Sequence, residues 1–337
     1  MTVIDSRPPE MSAPDPRELD TSHDRADTVF RGIIRASGLV VLLIMGLVGL
    51  FLTFRALQAI SSAGFSFLTT QSWEPDAGRF GIAAVLVGTI LIALVAVAIA
   101  LPLAVGSALY ISEYAPARLT RTLISAVDLM AAVPSVVYGL WGFFLLQNQV
   151  VPISRWISTW FVWIPFFGVD GVDPEDPLSP NTVYTSSTFI AGIVVAFMIA
   201  PSICSVTREV FSQAPIGERE GAYALGGTKW GMIRSVVLPY GKGGMIGGTM
   251  LGLGRALGET IAVFLIISPI FVIQPNILQN GGSSVSSLIA LRYGEATQFG
   301  TSALMAAGLA LFIMTLIINF AASSIVARSR SGAASDA

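Results

Sequence analysis

Charge is scarce in this sequence. Charged residues make up 12% of the 337 residues, whereas a soluble domain carries about 25%. Hydrophobic residues account for 53%, and a soluble chain of this length would need far more charge to cover its surface. The composition therefore excludes an ordinary soluble enzyme and predicts a membrane protein that crosses the bilayer several times.

Cysteine and histidine are also nearly absent. The single cysteine, Cys204, cannot form a disulfide within the chain, and the single histidine, His23, leaves no histidine cluster for zinc, iron or haem. The net charge of −2 offers no basic surface for nucleic acid. We therefore expect no metal site, no catalytic cluster and no nucleic-acid partner.

Six apolar runs are long enough to span a bilayer, which takes roughly 20 residues of helix. They lie near 33–54, 82–111, 123–147, 187–206, 244–274 and 301–326. The predicted fold is therefore all-α, a polytopic membrane protein with about six transmembrane helices in a domain that covers 30–328. Polar tails flank this domain at 1–29 and 329–337, and the first is predicted to be disordered because it is acidic and rich in proline and serine.

Lysine and arginine are distributed unevenly between the two sides of this arrangement. If the N-terminus is cytoplasmic, 14 of the 19 basic residues lie on the cytoplasmic side, four lie outside and Arg255 lies within a span. The positive-inside rule then predicts both termini in the cytoplasm and an even number of spans.

The long loop at about 148–186, between the third and fourth runs, has two parts. The first carries one arginine and four aromatic residues at helical spacing, which predicts a helix at the membrane interface: Arg155, Trp156, Trp160, Trp163 and Phe167. The second is acidic and rich in proline. It is either an exposed loop without a partner or a docking surface on the outer face.

The cytoplasmic loop at 207–243 contains signals for two short helices. The acidic residues near its start favour a helix over 217–225, Gly226 and Gly227 end it, and Thr228 can cap a second helix. Pro239 then marks the entry to the next span. No Gly-x-x-x-x-Gly-Lys-Ser/Thr phosphate loop occurs in the chain, so any ATP must be bound by a separate subunit.

The spacing within this loop resembles the EAA loop of bacterial ABC importer permeases. That pattern is Glu-Ala-Ala, three residues, Gly, nine residues, Ile, one residue and Leu-Pro. The residues that fall on the pattern here are Glu220, Ala222, Gly226, Val236, Leu238 and Pro239. Two positions depart from it, since Gly221 replaces the first alanine and Val236 replaces the isoleucine. The resemblance implies that these positions fit a cleft on an ATP-hydrolysing subunit and transmit its closure to the spans.

The fifth run combines a glycine stripe with two charges. Gly244, Gly248 and Gly252 recur every fourth residue, which predicts close approach of another helix. Arg255 and Glu259 continue the same face if the helix is unbroken. Charges at this depth are costly. Either they neutralise each other as an ion pair, or Arg255 meets an anion and Glu259 holds or releases it, because a guanidinium matches tetrahedral oxyanions.

Other polar side chains in the spans are weaker candidates for the substrate pathway: Asp128, Ser135, Tyr138 and Thr260. Asp128 is either an interfacial cap or a pathway residue, and the hydroxyl groups either bond to local backbone or meet substrate. Glu113 and Tyr114, at the end of the second run, are predicted to be surface residues.

Two segments are similar to signatures of the C-type permease of the phosphate-specific transport (Pst) system: 128–142 and 252–260. With the EAA-type loop, the resemblance covers roughly 30–328. It implies the ABC importer permease fold, phosphate import, and participation of Arg255 and Glu259 in transport.

The resemblance also implies a set of partners in a bacterial plasma membrane. These are a related permease of the A type in a heterodimer, two ATPase subunits that carry the ATP and Mg²⁺, an extracytoplasmic phosphate-binding protein, and membrane lipid. No cofactor is expected on this chain. Two alternatives stay open: an ABC permease for another oxyanion such as sulfate or molybdate, and a membrane enzyme or signalling protein without transport.

Overall fold

The computed structural model of the chain describes residues 25–176 and 178–330. It divides into two compact units, Met1–Val48 and Gly49–Ala337. In the first unit, the described residues belong to helix α1 (Arg25–Ala63). This helix begins inside the predicted tail 1–29, because extending an existing apolar helix by a turn costs little. The rest of that tail, and residues 331–337 of the C-terminal one, lie outside the described residues.

The second unit is almost entirely helical. Its helices are α2 (Ser66–Thr69), α3 (Ala83–Leu109), α4 (Ala117–Ala132), α5 (Ser135–Trp141), α6 (Gln147–Trp160), α7 (Thr188–Ser212), α8 (Ile216–Ala224), α9 (Lys229–Met232), α10 (Leu238–Gly258), α11 (Ile261–Ile266), α12 (Val285–Arg292) and α13 (Gln298–Arg330). A short antiparallel hairpin, β1 (Trp73–Glu74) and β2 (Arg79–Phe80), pairs Trp73 with Phe80.

Five helical segments among the described residues are long and apolar enough to cross a membrane. They are Thr28–Ala63, Ala83–Tyr114, Ser135–Trp160, Thr188–Ser212 and Gln298–Ala321. Four of the six predicted runs therefore largely coincide with such helices, whereas the predicted runs 123–147 and 244–274 are not single helices.

The predicted third span is broken at Val133 and Pro134. Both residues adopt extended backbone, because a proline disfavours helical geometry in the residue before it. The helix resumes at Ser135 and continues through a π-helical turn, Gly142–Leu146, into α6. The predicted interfacial helix around Trp156 is therefore the end of a longer span and not a separate element.

The predicted fifth span, 244–274, is also wrong as a single helix. Helix α10 ends at Gly258, Glu259 is extended, and α11 covers only six residues. The following chain to Ser284 lacks regular helix and forms isolated bridges, one of them between Pro269 and Gly282. Glycines weaken the end of α10, and the side chain of Glu259 starts a new helix, as described below.

The main core lies where α3 and α7 pack together. Buried alanines recur every fourth residue along α3: Ala96, Ala100, Ala104 and Ala108. On α7, a Cβ atom added to Gly192 would collide with the side chain of Val95. Small residues at this spacing allow two helix backbones to approach closely. In a bilayer, where no hydrophobic effect drives helices together, such close packing stabilises their association. This α3–α7 pair is the support on which α10 lies.

Candidate functional site

The glycine stripe of α10 faces α7. A Cβ atom at Gly252 would lie 2.7 Å from Cδ1 of Ile203, and one at Gly248 would lie 3.2 Å from the Ile203 carbonyl oxygen. At Gly244, an added Cβ would overlap the side chain of Val210. The three glycines therefore fix how α10 is rotated on α7, and this rotation sets the direction of Arg255 in the last turn.

Arg255 is half-buried and lies at the C-terminal end of α10. Within the described part of the chain, its guanidinium group makes no hydrogen bond and no ion pair. A cation at a helix C-terminus is favoured by the helix dipole, but its five N–H donors remain available. Arg255 thus has the free donors that binding of an oxyanion requires.

Glu259 does not pair with Arg255. Its side chain is buried, with 8% of the residue exposed, and its Oε1 atom accepts a hydrogen bond from the backbone N–H of Ala262 at 3.1 Å. Its carbonyl oxygen accepts a hydrogen bond from Ser286 Oγ at 2.6 Å. The ion-pair interpretation is therefore wrong in this structure, because the helix that would align the two residues ends at Gly258.

The break between α4 and α5 is bridged by Tyr138. Its hydroxyl group donates to the carbonyl oxygen of Met130 at 2.9 Å, a group that the end of α4 leaves without its helical partner. The same tyrosine lies within electrostatic range of Arg255. Ser135 is half-buried at the first position of α5.

The breaks in the third and fifth predicted spans lie next to each other. Helices α5 and α11, which follow the two breaks, pack closely: a Cβ atom at Gly139 would lie 2.9 Å from Cα of Ala262, and one at Gly142 would lie 2.9 Å from Cδ1 of Ile266. Discontinuous helices that meet in this way form substrate sites in many transporters, because their ends expose polar backbone groups.

The remaining candidates occupy the edges of this region. The hydroxyl of Thr260 donates to the Gly258 carbonyl oxygen at 3.2 Å, so it bonds to local backbone. Asp128 is exposed on α4, and its Oδ1 atom accepts from Ser205 Oγ on α7 at 3.5 Å.

Helices α8 and α9 form a compact turn, residues 216–232, that we call the knob. Gly226 has φ +80°, a conformation that side chains with a Cβ rarely adopt. The N–H of Gly227 donates to the Ala222 carbonyl oxygen at 3.0 Å. The predicted N-cap is present, since Thr228 Oγ1 accepts from the N–H of Gly231 at 3.1 Å.

The sequence suggested a short second helix for the knob, but the structure shows a long one. The helical stretch that begins at Lys229 continues through a π-helical turn, Ile233–Val237, directly into α10, and this helix ends at Gly258. Pro239 therefore lies within a continuous helix instead of at its entry. Pro239 has no backbone N–H to donate, and the π-helical turn before it shifts the pairing of backbone N–H and carbonyl groups, so the helix continues past the proline. One unbroken helical stretch connects the knob to Arg255.

The surface of the knob is unusually apolar. Leu225 is 91% exposed, and Trp230 and Tyr223 are exposed beside it. Glu220 and Gly221 are also exposed, whereas Ala222 packs partly against the core. A groove of about 540 Å³ between the two helices is lined by Gly221, Ala222 and Leu225, among others. Exposed apolar residues on this scale are typical of a protein-binding surface.

Glu113 and Tyr114, predicted to be surface residues, contact the knob. The carboxylate of Glu113 is only 4% exposed and pairs with Arg219 of α8 at 3.0 Å. The ammonium group of Lys229 lies 4.7 Å from the ring centre of Tyr114. The prediction for Glu113 was wrong because sequence spacing gives no sign that the end of α3 and the start of α8 meet.

Comparison with known proteins identifies the family of this chain. Residues 100–331 match the family described as "Binding-protein-dependent transport system inner membrane component". The chain belongs to this family. As an inner membrane component it is the multi-pass membrane part of a transport system, whose ATPase is a separate subunit. The alternative of a membrane enzyme or signalling protein without transport is therefore wrong.

Curated relatives of this inner membrane component are phosphate permeases. Phosphate transport system permease protein PstC 2 of Mycobacterium tuberculosis is 37% identical over 305 residues, which cover 89% of this chain and 92% of the relative. PstC of Mesorhizobium japonicum is 38% identical over 297 residues, with 87% of each chain covered. PstC of Xylella fastidiosa is 37% identical, with 92% and 93% covered. The predicted resemblance to the C-type Pst permease is confirmed.

Solved structures confirm the fold of this inner membrane component. A crystal structure of a bacterial alginate ABC transporter, in complex with an alginate pentasaccharide-bound periplasmic protein, is 16% identical and covers 89% of this chain and 96% of its own, with a TM-score of 0.58. A second structure of a bacterial ABC transporter for alginate import has a TM-score of 0.55 at 15% identity, with 89% and 99% covered. The all-α ABC permease fold predicted from the sequence is therefore confirmed.

Proposed function

We propose that this chain is a permease subunit of an ATP-driven importer of inorganic phosphate. The observation that carries the proposal is Arg255, which has free donors in the last turn of α10, directly before the break at Glu259, and belongs to the same continuous helix as the knob. The relatives named as phosphate permeases support the choice of substrate.

The chemistry of the site favours a tetrahedral oxyanion. The guanidinium group of Arg255 can donate two parallel hydrogen bonds to such an anion. The carboxylate of Glu259 accepts from the N–H of Ala262 and, within the described residues, makes no ion pair with the arginine. Ser135 offers a hydroxyl group near the two breaks, whereas the hydroxyl groups of Tyr138 and Thr260 donate to backbone carbonyl groups and would have to leave them to bind the anion. Asp128 lies at the edge, where its charge repels the anion and so helps to confine it.

The proposed assembly follows the ABC importer pattern. A related permease of the A type forms a heterodimer with this chain and completes the pathway, and an extracytoplasmic phosphate-binding protein delivers the anion. Two ATPase subunits carry ATP and Mg²⁺, and one of them binds the exposed apolar surface of the knob. Both termini are cytoplasmic in a bacterial plasma membrane, because this orientation places most basic residues inside. An even number of crossings then requires α10 to serve as a sixth span beside the five long apolar segments.

Transport proceeds by alternating access. ATP binding closes the ATPase pair and moves the knob, including Glu220, Gly221, Ala222 and Gly226. Because Lys229–Gly258 is helical throughout, with Leu238 and Pro239 inside it, this movement is passed to Arg255 along a rigid element. The arginine then changes its exposure from the outer to the inner side. Differential contacts in the two states provide the driving force.

The direct test is uptake of radiolabelled phosphate by proteoliposomes that contain the assembled complex, with and without ATP. We expect ATP-dependent accumulation that a tenfold excess of unlabelled phosphate suppresses and the same excess of sulfate or molybdate does not. ATP-dependent uptake of radiolabelled sulfate or molybdate in place of phosphate would instead identify another oxyanion as substrate. Absence of any ATP-dependent uptake would refute the transport role.

A further inference from the structure

The structure places a buried ion pair between the end of α3 and the first helix of the knob. Nη1 of Arg219 lies 3.0 Å from Oε1 and 3.2 Å from Oε2 of Glu113. The carboxylate side chain is 4% exposed and the arginine side chain 20%. Burying two charges is costly. A buried pair adds nothing to the solubility of the surface, so a structural or functional role has to account for it.

The same guanidinium group also contacts a third element. Its Nη2 atom donates to the carbonyl oxygen of Phe211 at 2.5 Å, in the last turn of α7. Arg219 therefore connects α8 to both α3 and α7, the two helices at the centre of the core. A lysine in this position has a point charge and could not hold the carboxylate and the carbonyl with the same planar geometry.

The second helix of the knob is attached to the same turn of α3. Lys229, the first residue of α9, stacks its ammonium group on the ring of Tyr114, which follows Glu113 in the chain. Both knob helices are thus fastened to Tyr110–Tyr114, the π-helical turn that ends α3. The contacts leave the exposed apolar surface of the knob uncovered.

We infer that Arg219 and Glu113 are positioning residues that make the knob move as one body with α3 and α7. The inference rests on the proposed function, since it assigns these residues a part in converting ATPase closure into movement of the spans. When the pair is intact, a displacement of α8 moves α3 through Glu113 and moves α7 through the Phe211 carbonyl group. Helix α7 in turn moves α10 through the glycine contacts at Gly244, Gly248 and Gly252. Without the pair, α8 can shift while α3 stays in place.

The experiment uses the complete complex in proteoliposomes and measures phosphate imported per ATP hydrolysed. Three variants are compared: Glu113→Gln, Arg219→Gln and the double variant. Arg118→Gln serves as a matched control, because Arg118 is an exposed arginine at the start of α4, close in sequence to Glu113. The amount of assembled complex is determined for each variant, and the ratio is compared only among assembled complexes.

We expect the transport ratio to fall at least about tenfold in each single variant, because loss of one partner of a buried pair costs more free energy than a tenfold change in an equilibrium. ATP hydrolysis continues, the double variant is no worse than the poorer single variant, and Arg118→Gln keeps the wild-type ratio. If Arg219→Gln does not assemble, Glu113→Gln alone decides the outcome.

Two results would overturn the inference. One is an unchanged ratio in Glu113→Gln, whether or not less complex assembles, since this would reduce the pair to a folding contact. The other is a double variant whose loss equals the product of the single losses, since the two residues would then act independently. Failure of the wild-type complex to import phosphate would instead refute the proposed function.

Discussion

The carboxylate of Glu259 accepts a hydrogen bond from the backbone N–H of Ala262 at 3.1 Å. This contact starts helix α11 three residues after the end of α10 and fixes the direction of the chain at the break. It also keeps the carboxylate away from Arg255, whose donors stay free among the described residues. The side chain of Glu259 thus forms no ion pair with Arg255 and instead fixes the course of the chain beside it.

Substitutions at Glu259 separate its role as a cap from its role as a charge. Glu259→Ala removes the acceptor for Ala262, and we expect it to lower the free energy of unfolding by about 1 kcal/mol, the usual cost of losing such a cap. Glu259→Gln keeps an acceptor oxygen and should retain most of this stability. Denaturant titration of the purified chain in detergent measures the difference. Equal destabilisation by both substitutions would show that charge, not capping, matters at this position.

Arg255→Gln should abolish phosphate uptake while the complex still assembles, because the neutral side chain cannot attract the anion or offer two charged donors to it. Arg255→Lys should recover only part of the activity, since its compact ammonium group lacks the planar fork. Uptake per assembled complex is the measurement, and Arg118→Gln is the control for loss of one positive charge. Wild-type uptake by Arg255→Gln would exclude the proposed role.

The glycine stripe of α10 provides a matched pair of substitutions. Gly252→Ala places a methyl group 2.7 Å from Ile203 Cδ1, and we expect a loss of about 1–3 kcal/mol in unfolding free energy from overpacking. Gly247→Ala, on the same helix, meets no atom within 4 Å. It should stabilise the helix by up to about 1 kcal/mol through higher helix propensity. Opposite signs in a denaturation assay would support the packing assignment, whereas equal effects would contradict it.

Gly226 offers a test of the knob geometry. Its φ of +80° is unfavourable for any residue with a Cβ, so Gly226→Ala should cost about 1–2 kcal/mol locally. We expect the strained turn to displace α8 from α9 and to lower phosphate imported per ATP. Gly217→Ala, which lies within α8 and meets no atom within 4 Å, is the control. An unchanged transport ratio in Gly226→Ala would argue against a coupling role for this turn.

Much of the fold could be predicted because apolar runs report directly on the bilayer and capping residues report on the starts of helices. The runs near 82–111 and 187–206 correspond to long helices, and Thr228 caps α9 as its residue type indicated. The break at Pro134 and the end of α10 at Gly258 were not predicted, since hydropathy continues smoothly across both. Helix continuity depends on local hydrogen bonds, which an average over an apolar window does not detect.

The sequence by itself determined that this chain spans a membrane and belongs with importer permeases, and it predicted that Arg255 lies within a span. Scarce charge and the spacing of motifs are properties of the linear chain, so they need no contacts to be read. Only the tertiary structure decided which partners the charges have. Glu259 caps a helix instead of pairing with Arg255, and Glu113 pairs with Arg219, 106 residues away. Which residues pair depends on distances between atoms that lie far apart in the sequence and that only folding brings together.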